Sequence, residues 1–207
     1  MKRTTISLSA AFLLLFFGYN HAKAQTVKIG KQIWVLQNLD VDHYRNGDPI
    51  PEVEDDQEWE KLTTGAWCYF ITKNGDTYGK LYNWYAVHDK RGLAPEGFHI
   101  PSDAEWTTLT NYLGGDKIAG GKLKETGLKH WRKPNVKATN SYGFTALPSG
   151  SRNNAGSYNE TSSTSFWTAT ESSDNKAWSR YISFDWGDII RSSKLKKSGF
   201  SVRCLQD

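Results

Sequence analysis

Nine tryptophans, ten tyrosines and nine phenylalanines are spread over the 207 residues of this chain. Beyond the first two dozen positions there is little continuous aliphatic sequence to set against them. The core must therefore be built largely from rings, each of which buries a large area. A buried indole also needs an acceptor for its N–H. The many Ser, Thr and Asn residues and the loop carbonyls between the aromatic islands can supply it.

The chain opens MKRTTISLSAAFLLLFFGYNHAKAQ. Lys2 and Arg3 precede an apolar run over Ile6 to Gly18, and Ala22-Lys23-Ala24 is an A-x-A cleavage site. Residues 1–24 are read as a secretory signal peptide and residues 25–207 as the single mature domain. The apolar run is well short of the roughly 20 residues of a spanning helix, and no membrane span is expected after cleavage. The whole chain carries +4, and removing Lys2, Arg3 and Lys23 leaves +1. That balance gives no reason to expect nucleic acid or an anionic membrane as partner. Two cysteines remain, Cys68 and Cys204. In an exported chain the even count favours a structural disulfide, about 4–5 kcal/mol in the chain-entropy picture. The alternative is two buried thiols.

Val27 to Ile29 and Ile33 to Leu36 read as a hairpin turning at Gly30. Residues 38–62 read as loop, including the acidic run from Glu52 to Glu60. Gly65 to Ile71 reads as a strand carrying Cys68. Leu81, Trp84, Tyr85 and His88 share one helical face, which predicts a helix from Lys80 to His88. Ser102 and Glu105 form an S-x-x-E capping box opening a second helix. Trp106, Leu109 and Leu113 are its buried stripe and Gly114 its stop. A third helix is expected over Ala119 to Glu125, weakened by Gly120 and Gly121. Residues 134–165 form a long Asn/Ser/Gly/Thr-rich loop region. The end reads as a four-strand meander, with Phe200, Val202 and Cys204 on one face of the last strand and Ser201 and Arg203 on the other.

Together the segments IGKQIWVLQNLD, YRNGDPIP, GKLYNWYAV, LAPEGFHIPSDAEWTTLTNYLGG, GGKLKETG, ATNSYGFTALPSGSR, FWTATE and GFSVRC carry a resemblance. In this order they resemble the Fibrobacter succinogenes major paralogous domain family, over nearly all of residues 27–207. The family is exported and has no assigned activity. The resemblance implies an α+β, C-type-lectin-like fold shared with formylglycine-generating enzymes. Such a fold has two or three short helices, a small twisted antiparallel sheet, long ordered loops and adjacent N- and C-terminal strands. Phe98 stands where many relatives carry Trp.

The chemistry that resemblance suggests finds few residues here. Formylglycine-generating enzymes bind copper through a cysteine pair, and the only thiols are Cys68 and Cys204. Zinc needs three or four convergent ligands, whereas His43, His88, His99 and His130 are scattered. A hydrolase elbow G-x-S-x-G does not occur. Calcium would need several carboxylates, and Asp185 with Asp188, or the acidic run, are the places to look. No catalytic, cofactor or metal residues are assigned. Arg152, Asn153, Asn154, Tyr158 and Asn159 form the candidate ligand surface, since Asn and Arg can fork hydrogen bonds to sugar hydroxyls and Tyr offers a stacking face. The opposing reading is that these side chains bond their own loop. The functional expectation is an exported, non-enzymatic binding or adhesion module whose partner is a polysaccharide or a surface protein. The alternatives are a divergent oxidoreductase of the formylglycine-generating type and a structural surface protein without a small ligand.

Overall fold

A computed structural model describes residues 24–72, 74–154, 158–159 and 162–207, and the side chains of Tyr158 and Asn159 are not among those described. The expected signal segment lies outside them, apart from Ala24. The architecture is α+β, with short helices and small antiparallel sheets. Its strands are β1 (Thr26–Ile29), β2 (Gln32–Val35), β3 (Trp67–Tyr69), β4 (Lys80–Tyr82), β5 (Phe98–His99), β6 (Ser151–Arg152), β7 (Tyr158–Asn159), β8 (Ser163–Ser173), β9 (Lys176–Ser183), β10 (Ile189–Leu195) and β11 (Leu205–Gln206). Its helices are α1 (Asp56–Lys61), α2 (Trp84–Val87), α3 (Asp103–Tyr112) and α4 (Asp116–Leu123).

The opening hairpin forms as expected, with Thr26 opposite Val35 and Ile29 opposite Gln32. Gly30 takes φ +63°, the left-handed turn geometry that costs glycine little. The C-terminal β11 then sits between β2 and β5, with Leu205 facing Trp34 on one side and His99 on the other. The two ends of the domain are thus zipped into one sheet. The second sheet has the order β10-β9-β8. The pairs β3-β4 and β6-β7 complete the ladders.

The capping box is realised on α3. The Ser102 hydroxyl accepts from the Glu105 amide at 3.2 Å, and Glu105 Oε2 accepts from the Ser102 amide at 2.7 Å. Gly114 stops the helix at φ +100°.

Four expectations are corrected. The helix over Lys80 to His88 is a strand followed by a helix. Asn83 separates them, accepting from the Ala86 amide at 3.0 Å as N-cap. Leu81 and Tyr82 are both fully buried, so this run has no solvent face to declare its period. The acidic run is not all loop. Asp55 caps α1 by accepting from the Glu58 amide, and the acids of the first turn suit the helix dipole. The last expected strand does not continue the meander beside β10; only Leu205–Gln206 is regular, and Phe200 and Ser201 bridge to Tyr82 of β4 and, in parallel, to Phe166 of β8. Its polar face is also buried: Ser201 and Arg203 are as enclosed as Val202.

The fourth correction is the disulfide. Cys68 and Cys204 are both buried and are not joined to each other. Cys68 packs with Val53, Trp59 and Leu81, and Cys204 with Trp67, Trp167 and Val202, in separate clusters. Burial pushes the Cys204 thiol up to about 12, so it stays protonated.

The ring-built core is present. Five indoles donate to backbone carbonyls: Trp59 to Lys197, Trp67 to Ile50, Trp84 to Thr168, Trp131 to Ala146 and Trp167 to Tyr82, at 2.7–2.9 Å. Trp106 Nε1 is buried with no acceptor among the described residues, and its ring packs between Trp34 and Phe166 at 4.8 and 5.4 Å. Gly120 and Gly121, weak points of α4 by propensity, are contact points by packing. A Cβ on Gly120 would lie 2.0 Å from the Asp188 carbonyl oxygen.

Candidate functional site

The candidate ligand surface starts at β6, and its first residue is not a surface residue. Arg152 is fully buried. Its Nη1 donates to the Val53 carbonyl at 2.6 Å, and its Nη2 donates to the Glu54 carbonyl at 2.7 Å and Asp56 Oδ1 at 2.8 Å. The guanidinium lies 4.3 Å from the Trp59 ring centroid. Arg152 therefore ties α1 to β6. Backbone bonds of 2.8 Å in both directions between Arg152 and Gly199 fix the other side of the strand.

Asn153 is exposed and Asn154 half-buried, and both line a groove of ≈ 500 Å³. Its facing wall includes Tyr181 on β9 and Ser193 and Lys194 on β10, with Ser198 and Phe200 from the segment after them. The backbones of Tyr158 and Asn159 pair with Arg152 and Ser151, which brings β7 beside this wall. What their side chains do lies outside the described residues. The structure thus brings Asn153 and Asn154 to one groove and sends the Arg152 guanidinium inward.

Alternation within the second sheet puts Lys194 on the face of Tyr181 and Ser193 on the other. Trp178, Arg180 and Ile182 share one face of β9, and Arg180 donates from that face to Asp103 Oδ1 at 2.6 Å on α3. The opposite face carries Ala177, Ser179, Tyr181 and Ser183, with Ser165 of β8 opposite Tyr181. Tyr181, half-buried, lies between Ser165 of β8 and Ile190 of β10. Trp186, 39% exposed, lies 6.2 Å from it at a tilt of 58°. Sequence reasoning missed Tyr181, Trp186 and Lys194. The signal available was the period-2 pattern A-x-S-x-Y-x-S in β9, a small-residue face bearing one ring. Lys176 and Lys194 are exposed in the groove, and among the described residues no carboxylate lines it.

The other polar clusters are used internally. His99 lies between Asp207 and Glu105, with Nδ1 2.7 Å from Asp207 Oδ1 and Nε2 3.0 Å from Glu105 Oε1. Burial works against its charge, but these two carboxylates outweigh it and raise the His99 pKa. Burial likewise opposes the Glu105 charge, and the Ser102 amide, the Ser102 hydroxyl and His99 together lower its pKa. His88 stacks on Trp84 at 4.5 Å, and His130 pairs with Glu125 at 2.8 Å. Asp185 accepts from the Ser183 hydroxyl, and Asp188 pairs with Lys117 at 3.0 Å. Among the described residues no three His, Cys, Asp or Glu side chains converge as metal ligands would.

The model of the Fibrobacter succinogenes major domain matches residues 27–206. The chain belongs to this family. No curated protein and no solved structure matches it. Within the family domain, Asn153 and Asn154 lie on a loop held by the buried Arg152 clamp. Among the described residues no helix is long and apolar enough to cross a membrane.

Proposed function

We propose that this domain is an exported, non-enzymatic binding module of the cell surface, with a C-type-lectin-like fold, and that it takes polysaccharide in the groove beside β6. The observation that carries the reading is the make-up of that groove. Asn153 and Asn154 offer paired donors and acceptors, Tyr181 with neighbouring Trp186 offers ring faces, and Lys176 and Lys194 supply positive charge. Sugars present hydroxyls on their edges and C–H groups on their faces, and this lining answers both. The two lysines favour a polymer bearing acidic sugars. The fold reading is supported by the paired terminal strands β2 and β11 and by the ordered connections between α4 and β6.

The test is a glycan array probed with the secreted chain, with and without calcium. Binding to acidic polysaccharides is expected, and is expected to be lost in Asn153→Ala/Asn154→Ala and in Tyr181→Ala at unchanged melting temperature. Silence across the array would sink the glycan reading and leave a protein partner.

A further inference from the structure

A second cavity, of ≈ 430 Å³, opens on the side of the domain where β2 leads into the loop after it. That size suits a small organic molecule. Leu36 and Leu147 give it apolar wall, Tyr78 a ring, and Gln37 and Thr77 an exposed mouth. Arg203 lines it and is only 1% exposed.

The state of Arg203 sets this cavity apart. A guanidinium carries five N–H donors. Nη1 donates to the carbonyls of Val35, Leu36 and Phe144. Asn38 Oδ1 accepts from Nε at 3.0 Å and from Nη2 at 2.8 Å. The second Nη2 proton has no acceptor among the described residues, and no carboxylate there pairs with the charge. Every other buried arginine differs: Arg152 has Asp56 and Arg180 has Asp103. Burying a charge with neutral partners alone is costly, and burial pushes the Arg203 pKa down to about 9. Asp40, also on the cavity wall, does not supply the missing charge. It pairs with Lys80 at 3.0 Å and accepts from the Tyr69 hydroxyl at 3.1 Å.

The rim is also held in an unusual shape. Thr145, a β-branched residue, sits at φ +53°. Asn140 pins it there, accepting from the Thr145 amide at 2.8 Å and donating to its hydroxyl at 2.9 Å. Such a conformation persists only where the surroundings over-determine it, and ligand clamps are among the places it gathers. Asn38 is fixed as well, donating to the Tyr78 carbonyl at 2.8 Å.

We infer that this cavity is a preformed binding site for a small carboxylate, whose oxygen accepts the remaining Arg203 N–H while its apolar part lies against Leu36, Leu147 and Tyr78. The site is separate from the polysaccharide groove and does not depend on it.

Phenylacetate is the probe and phenylacetamide, nearly the same shape without the charge, is its control. Titrations of the mature domain are followed by calorimetry and by the Nε–H resonance of Arg203. Phenylacetate should bind at least about tenfold more tightly than the amide, the margin of one charge-assisted hydrogen bond. It should also move the Arg203 resonance. Thr77→Trp and Gln37→Trp, both at the exposed mouth, should abolish binding at unchanged melting temperature. Equal binding of acid and amide, full binding in both blocked variants, or no saturation by about 50 mM would each overturn the assignment.

Discussion

At the scale of single residues, the ion-paired triad of His99, Glu105 and Asp207 joins the start of α3 to the C-terminus of the chain. His99 has a raised folded pKa, so its stabilisation is fully present below its unfolded value near 6.5 and is lost as pH rises through the folded value. Glu105 has a lowered folded pKa, so its contribution is present above its unfolded value near 4.5 and is lost as pH falls through the folded value. The two are together at full strength between about pH 4.5 and 6.5. The melting temperature of the parent relative to His99→Gln should therefore show its largest excess in that window and shrink on both sides. A difference that is flat with pH would mean the triad contributes only packing. Glu105→Ala also removes half of the capping box and should cost about 1 kcal/mol in denaturant melts, without affecting the proposed groove. The capping box was legible because it is local: Ser102, three residues on, Glu105. The partnership of His99 with Asp207 was not, since nothing in either neighbourhood announces a contact across 108 positions.

At the scale of elements, the interesting joint is between α1 and β6. A six-residue helix is too short to stand alone in water. It is held by Trp59, whose indole reaches the Lys197 carbonyl, and by Arg152, which takes the carbonyls of Val53 and Glu54 just before the helix. Arg152→Leu leaves these carbonyls and Asp56 without their donor, and should cost about 3–5 kcal/mol. Asp56→Ala should cost less, about 1–2 kcal/mol: the carboxylate is 57% exposed and the guanidinium keeps both carbonyls, but it stays buried without its counter-charge. Chemical denaturation of the two variants separates them; equal losses would make the ion pair, not the carbonyl clamp, the source of stability. Arg152 shows why the candidate surface was only half legible. A run of Arg and Asn in a polar loop looks uniformly exposed in sequence, and the ring that draws the arginine inward lies 93 positions earlier. The strand and helix after Gly79 were illegible for a related reason: Lys80, Leu81, Tyr82, Asn83 and Trp84 are all buried, so neither a period of two nor of 3.6 is imprinted on them. Glycine was misread in the same way at α4. Gly120→Ala gains helix propensity but drives a methyl into the Asp188 carbonyl, and a loss of about 1–3 kcal/mol in melts is expected where propensity alone would give a gain.

At the scale of the whole molecule, the last eight residues do the joining. Phe200, Val202 and Cys204 enter the cluster around Trp67 and Trp167, while Leu205 enters the cluster around Trp34 and Trp106. The intervening Ser201 and Arg203 bond to the walls between them. This segment read as the last strand of a meander, with Ser201 and Arg203 on its second face, because alternation was visible and the second layer of partners was not. With both faces enclosed it becomes a central thread, and Cys204 on it can be reached only when the clusters separate. Cys68, on the far side of the β3-β4 pair in the cluster of Trp59, is enclosed just as fully. A domain stapled between these thiols would lose melting temperature in reductant. Two buried, separately packed thiols give the opposite pattern. Dithiothreitol should leave the melting temperature unchanged, and iodoacetamide should fail to label either cysteine in the native protein. In rising denaturant both should become labelled together, at the midpoint seen by tryptophan fluorescence, because adjacent residues of β3, Trp67 and Cys68, lie in the cluster of Cys204 and in that of Trp59, so neither cluster opens alone. Labelling of Cys204 well before Cys68 would instead show that the C-terminal thread opens as a unit of its own, and the two ring clusters would then have to be treated as independently stable halves.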